Sequence, residues 1–201
     1  STTTATERST SRPIRDVRTF DAYHRARIEM YHYTAEGLAR AEALATQALE
    51  VVGPSALLCA LLAQIQYVYH ESLVRADDET LACGDAWASK ALELDLDCAD
   101  ALLARGCLRM RRGNITAALP DFRRAFALEP NGTNAVYLTF AAYLSGQMTA
   151  ARRYAEESAR LDPLWWVSRL QPALVSLFEG DAGRAYADGR VAWMAVGQDE
   201  P

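Results

Sequence analysis

The strongest constraint on this chain is a spacing of about 34 residues that two kinds of residue share. Three glycines that separate helical patterns recur at this spacing: Gly113, Gly146 and Gly180. The residues that close the patterns, Leu96, Pro130 and Pro163, keep the same spacing to within one position. Because the two markers are independent, the period predicts a repeated unit of two helices. Such a unit buries its apolar face only against neighbouring units.

Residues 99 to 130 form the most regular unit. Gly113 and Asn114 separate two helical patterns, because glycine ends a helix and asparagine caps the next one. Small residues stand where the two helices must approach closely, and larger ones fill the space between them. These packing positions are Leu102, Gly106, Ala118, Phe122 and Ala125, and Pro130 then closes the unit.

This pattern closely resembles the tetratricopeptide repeat (TPR), a helix-turn-helix unit of about 34 residues. The resemblance implies an all-α fold, a right-handed α-solenoid of antiparallel helix pairs with about five repeats and ten helices. It also implies that further residues of the later units serve repeat packing: Ala151, Pro163, Gly180 and Ala185.

The sequence predicts a linker followed by a repeat domain. Residues 1–13 are rich in Ser and Thr, contain no large apolar residue and end in proline, which predicts a disordered linker. Residues 14–201 form the solenoid, with units at about 19–53, 54–97, 98–131, 132–164 and 165–197.

Four residues depart from the repeat pattern. Pro120 and Pro172 fall inside predicted helices, so we expect a kink or a later helix start at each. Arg105 and Arg109 occupy places that the repeat usually gives to apolar residues, and their stems are expected to lie over apolar surface.

Composition excludes several classes of function. The net charge of −5 argues against general nucleic-acid binding, which needs a clustered basic surface. No apolar run approaches the roughly 20 residues of a membrane-spanning helix, and no secretion signal is visible. None of the four cysteines belongs to a CxxC pair, which favours free thiols and a reducing compartment. We therefore expect a cytoplasmic protein, with a periplasmic domain of a membrane-anchored parent as the alternative.

Motifs of catalysis are absent from the sequence. It contains no phosphate-binding glycine loop, no HExxH zinc motif and no GxSxG nucleophile motif. The three histidines, His24, His32 and His70, are not spaced for one metal ion. The chain is therefore expected to have no enzymatic activity, cofactor or metal, and any catalytic domain would lie outside it.

The TPR resemblance implies that the first helix of each pair lines a concave face. The residues predicted on this face are Tyr23, Arg27, Met30, Leu103, Cys107, Met110, Arg111, Val136, Phe140 and Tyr143. Apolar and aromatic side chains rimmed by arginines form a surface for a peptide or a partner domain. The alternative is that many of them are buried between neighbouring helices. Lys90 is the only lysine, so the chain does not match the carboxylate-clamping subclass of TPR domains.

Three short segments, 15–23, 34–38 and 48–53, are similar to repeat regions attached to bacterial signalling proteins. These include serine/threonine protein kinases, nucleotide cyclases and winged-helix regulators. The resemblance implies an interaction or regulatory module of a larger protein. One alternative is a self-association element that dimerises the parent through an apolar end, at Trp193 and Met194. Another is a small-ligand sensor that uses aromatic residues such as Tyr143, Trp165 and Trp166.

Overall fold

A computed structural model describes residues 17–194, and every regular element in this range is an α-helix. The all-α prediction is confirmed. The predicted linker, residues 1–13, lies outside the described residues. The ten helices are α1 (Val17–Met30), α2 (Ala35–Val52), α3 (Ala56–Glu71), α4 (Asp78–Leu94), α5 (Ala99–Arg111), α6 (Ile115–Leu128), α7 (Gly132–Leu144), α8 (Met148–Leu161), α9 (Trp166–Phe178) and α10 (Ala182–Met194). None of these helices combines the length and the apolar character that crossing a bilayer requires.

The chain divides into two compact units inside α5, between Ala104 and Arg105. In the first unit, α1 packs against α2 and α3, α2 packs against α3, and α3 packs against α4. The centre of this unit is α3, which is buried on nearly all sides, as its apolar sequence predicts. Its fully buried large side chains are Leu58, Leu61, Leu62, Ile65 and Tyr69.

The second unit contains the rest of α5 and helices α6 to α10. Helix α7 packs against α6, α8 and α9, and α9 packs against α8 and α10. Small side chains, Ala142, Ala151, Ala155 and Val175, form a buried cluster where α7, α8 and α9 meet. The small residues let the helix backbones come close together, and this is the role that the sequence predicts for Ala151.

The regularly spaced glycines end helices in the way the sequence predicts. Gly113, Gly146 and Gly180 have φ angles of 75°, 75° and 79°. Glycine adopts this left-handed conformation without steric cost, and it lets the chain close the last helical turn. After Gly113, for example, the Asn114 N–H donates to the Arg109 carbonyl at 2.9 Å, and the Asn114 side chain accepts from the Ala117 N–H at 3.1 Å. One short turn thus ends one helix and caps the next.

Pro120 and Pro172 both lie inside helices, because α6 begins at Ile115 and α9 at Trp166. A later helix start, one of the two expectations, is therefore wrong at both positions. Pro172 has no N–H for the carbonyl of Ser168 one turn earlier. That carbonyl accepts instead from the hydroxyl of Ser158 on α8, at 3.2 Å. A side chain of the neighbouring helix thus replaces the hydrogen bond that proline removes.

Helices α5 and α6 approach each other closely where Gly106 of α5 meets Phe122 of α6. A Cβ atom at Gly106 would lie 2.5 Å from the Phe122 ring, which is closer than real contacts allow. The Phe122 side chain is fully buried and stacks on Tyr137, so it cannot move aside without disturbing the core. Glycine at position 106 is therefore required by packing.

We predict that Gly106→Ala destabilises the protein although alanine is the better helix former. Overpacking against Phe122 should exceed the gain in helix propensity and lower the free energy of unfolding by about 1–2 kcal/mol. Gly189→Ala in α10 is the matched control, because its Cβ would meet only Ala173 Cβ, at 3.9 Å. That change should raise the free energy of unfolding by roughly 0.5–1 kcal/mol. Urea unfolding measures both, and equal effects of the two changes would contradict the close approach.

Candidate interaction surfaces

Five of the ten predicted contact residues are buried. They are Tyr23, Met30, Leu103, Cys107 and Val136, and none has more than 7% of its surface exposed. Their side chains belong to the core, so they are not available to a partner. First helices α1 and α7 contact α3 and α9, respectively, as well as their own second helices, and these contacts bury one side of each helix. Of the remaining five, Arg111 is exposed and Arg27, Met110, Phe140 and Tyr143 are partly exposed.

In the first unit, Tyr23 and Arg27 belong to a hydrogen-bonded cluster that joins α1 to α5. The Tyr23 hydroxyl donates to Asp100 Oδ2 at 3.0 Å, and Arg27 Nη1 donates to the Tyr23 oxygen at 3.3 Å. Arg27 Nη2 also donates to the hydroxyl of Tyr31 at 3.4 Å. Burial, and then the nearby Asp100 carboxylate, raise the pKa of Tyr23 far above its usual range. The cluster therefore holds the first unit together, and Tyr23 has a structural role.

We predict that Tyr23→Phe lowers the free energy of unfolding by about 1–2 kcal/mol, because Asp100 and Arg27 both lose a partner. Tyr31→Phe should change it by less than about 0.5 kcal/mol, because Tyr31 is exposed and water replaces its contact. The pKa of Tyr23 is higher in the folded state than in the unfolded state. Its contribution to the free energy of unfolding is therefore fully present below about pH 10 and declines as the pH rises further. Urea unfolding at pH 7 and at alkaline pH measures these effects. Equal losses in the two variants would contradict the cluster.

Arg105 and Arg109 of α5 are paired with one buried carboxylate, Asp121 of α6. Arg105 donates to both carboxylate oxygens, at 3.0 and 2.6 Å, and Arg109 Nη1 donates to Oδ2 at 2.6 Å and to the Ala117 carbonyl at 3.1 Å. The charged ends of the two arginines thus link the two helices. The sequence interpretation missed Asp121. Two arginines at i and i+4 on one helix repel each other, and a carboxylate between them relieves this repulsion; the spacing alone does not identify Asp121 as that carboxylate.

Aromatic rings in the second unit form a continuous series that we call the aromatic row: Phe122, Tyr137, Phe140, Tyr143 and Phe178. Successive ring centroids are 5.8, 6.2, 5.7 and 4.3 Å apart. The row begins at the buried Phe122 ring of α6 and crosses α7. It ends on α9 at Phe178, whose side chain is 57% exposed. Two of its members, Phe140 and Tyr143, were predicted contact residues.

The exposed end of the aromatic row has apolar neighbours. Leu144 and Leu177, which adjoin Tyr143 and Phe178 in the chain, are also exposed. Burial raises the pKa of Tyr143 to about 12, so its hydroxyl stays neutral at physiological pH. Tyr143 and Phe178 stack at an interplanar angle of 19°. Together these side chains offer a partner stacking and apolar contact.

Arg152 of α8 fixes the helix that carries Phe178. Its guanidinium donates to the Pro172 carbonyl at 3.2 Å and to the Ser176 hydroxyl at 2.9 Å, both on α9. It also pairs with Glu179 after α9, and with Asp188 of α10 at 3.4 Å. Sequence reasoning missed this residue, because its partners lie 20 to 36 positions later in the chain. The position of Phe178 is therefore set by a network anchored in the preceding helix.

The tryptophans proposed for a small-ligand site lie far from Phe178. Trp165 is the residue before α9 and Trp166 is its first residue, whereas Phe178 is its last. A helix of this length separates its ends by about 18 Å. Because Tyr143 stacks on Phe178, the structure does not bring Tyr143 and the two tryptophans into one site.

The sequence matches no family model and no curated protein. Several solved structures match its fold. TTC0263, described as a thermophilic TPR protein of Thermus thermophilus, is 14% identical with a TM-score of 0.69, covering 89% of this chain and 93% of that one. PilF of Pseudomonas aeruginosa is 20% identical with a TM-score of 0.63, and the match covers 91% of this chain and 78% of PilF. YrrB, described as a TPR protein with an unusual peptide-binding site, is 17% identical with a TM-score of 0.56. The match covers 88% of this chain and 86% of YrrB.

Proposed function

Because this chain has the TPR fold, we propose that it is a non-enzymatic interaction module that binds a peptide or a partner domain through its aromatic row. The observation that carries the proposal is the exposed stack of Tyr143 and Phe178. Both residues lie on first helices of helix pairs, α7 and α9. Aromatic side chains in such positions supply most of the binding energy in many interfaces, because they bury large rigid surfaces.

Two further observations support a protein partner. One of the similar structures, YrrB, is described as having a peptide-binding site, which shows that this fold is used in that way. The net charge of this chain is −5, which favours a protein or peptide over a nucleic acid. From the lack of a CxxC pair and of a visible secretion signal, we propose a cytoplasmic location. From the resemblance of its short segments, we propose that the module is a regulatory part of a larger bacterial signalling protein.

The test uses a displayed library of random peptides selected against the 201-residue chain. Enriched peptides are labelled and titrated with the unmodified protein and with Phe178→Ala. We predict that Phe178→Ala weakens binding about tenfold or more, the effect of a typical hot-spot residue. Trp166→Ala is the matched control, because it removes an aromatic ring from the other end of the same helix. Trp166 is 59% exposed, close to the 57% of Phe178.

Trp166→Ala is expected to leave the affinity of the peptides unchanged. Circular dichroism of both variants shows whether the fold is retained. Equal binding by Phe178→Ala and the unmodified protein, or no enriched peptide at all, would contradict the proposed site. A loss with Trp166→Ala alone would place the binding site at the start of α9 instead.

A further inference from the structure

Helix α9 buries mostly polar side chains against its neighbours. Four of its residues are buried, and three of them are polar: Ser168, Gln171 and Ser176. The fourth, Val175, packs in the small cluster where α7, α8 and α9 meet. Helix α3 of the first unit, in contrast, buries eleven residues, most of them large and apolar. Because apolar burial is the main stabilising contribution to packing, α9 is held less firmly by packing than α3.

Two buried polar atoms of α9 weaken its contacts further. Ser168 Oγ and Gln171 Oε1 have no hydrogen-bond partner among the described residues. Burying such an atom costs free energy, and water satisfies it as soon as the helix separates from its neighbours. Both atoms therefore favour a state in which α9 has moved away from α7 and α8.

Arg152 of α8 supplies polar contacts that oppose this separation. The four groups that it contacts all belong to α9, α10 or the turn between them: Pro172, Ser176, Glu179 and Asp188. The Ser176 hydroxyl also donates to the Asp188 carboxylate at 2.8 Å, which ties α9 to α10. Hydrogen bonds to a charged group are about twice as strong as neutral ones. A single side chain thus compensates for the apolar packing that α9 lacks.

We propose that α9 and α10 open away from α8 as one unit, and that Arg152 keeps the closed position dominant. In the closed position Phe178 stacks on Tyr143. Opening breaks this stack, because Tyr143 stays on α7 whereas Phe178 moves with α9. Arg152 is therefore a positioning residue for Phe178, and it acts on the partner without touching it.

The consequence for binding rests on the proposed function, whereas the opening itself does not. A partner that needs the stack of Tyr143 and Phe178 binds only the closed position and shifts the equilibrium towards it. Its apparent dissociation constant is the intrinsic constant divided by the closed fraction. Loosening the hold of Arg152 thus lowers the affinity without any change at the binding surface.

Amide hydrogen exchange of the 201-residue chain, followed by mass spectrometry, tests the opening without a partner. Amides of α9 and α10 are expected to exchange together and faster than those of α7 and α8. In Arg152→Met the exchange of α9 and α10 should rise about tenfold to hundredfold, because hydrogen bonds to a charged group are lost. The exchange of α7 and α8 should stay unchanged.

Two further variants complete this measurement. Arg152→Lys keeps the charge with fewer donors, so its exchange should lie between those of Arg152→Met and the unmodified protein. It also keeps the test decisive if Arg152→Met does not fold. Arg153→Met is the matched control, because it removes the same charge from an exposed residue whose guanidinium donates to Tyr154 of the same helix. Its exchange should equal that of the unmodified protein.

A peptide that binds through Phe178 tests the link to the proposed function. At a hundred times its dissociation constant, it should slow the exchange of both α9 and α10 by about a hundredfold. The effect on α10 is the informative one, because α10 contributes no ring to the aromatic row. Slower exchange in α9 without any change in α10 would contradict opening as one unit.

Two results of the exchange measurement would overturn the proposal. Equal acceleration of α7, α8, α9 and α10 in Arg152→Met would show a general loss of stability in place of local opening. Unchanged exchange of α9 and α10 in Arg152→Met would show that Arg152 does not control their position. If the exchange changes as expected but no peptide depends on Phe178, the opening stands and the proposed function fails.

Discussion

The structure depends on how closely the two helices of a pair can approach each other. Helix α5 meets α6 where Gly106 lies against the ring of Phe122, and a single added Cβ would overlap that ring. In the following pair, the small side chains of Ala151 and Ala155 on α8 are fully buried. Because helix backbones pack at distances set by the side chains between them, these small residues determine how each pair closes. The ion pairs of Asp121 and Arg152 then link helices that packing has already brought together.

Much of the fold could be predicted from the sequence, because its signals are local. A left-handed glycine such as Gly113, followed by a capping residue such as Asn114, ends and restarts a helix through contacts within a few residues. The same holds for Thr34 and Asp77, whose side chains accept from backbone N–H groups three residues later. The regular interval between such turns then fixes the number and order of helices. Helix-by-helix prediction succeeded because each boundary depends on its own short segment.

The candidate site could be predicted only in part, because exposure depends on neighbours that sequence periodicity does not identify. Tyr23 and Val136 lie on first helices as expected, but packing against adjacent helices buries both. Phe140 and Tyr143, which belong to the aromatic row, were among the predicted contact residues because aromatic residues at helical spacing are visible in the sequence. Phe178 was missed, because its stacking on Tyr143 joins residues that are far apart in the chain, on helices of different pairs. Long-range pairing of this kind has no local signal.

The aromatic row has a buried beginning and an exposed end. Phe122 belongs to the core, whereas Phe178 at the other end of the row is exposed. Arg152 holds α9 through the Pro172 carbonyl and the Ser176 hydroxyl, so Phe178 is fixed before a partner arrives. A side chain that is already fixed loses little conformational entropy on binding. On our proposal, more of the area that a partner buries at Phe178 therefore appears as affinity.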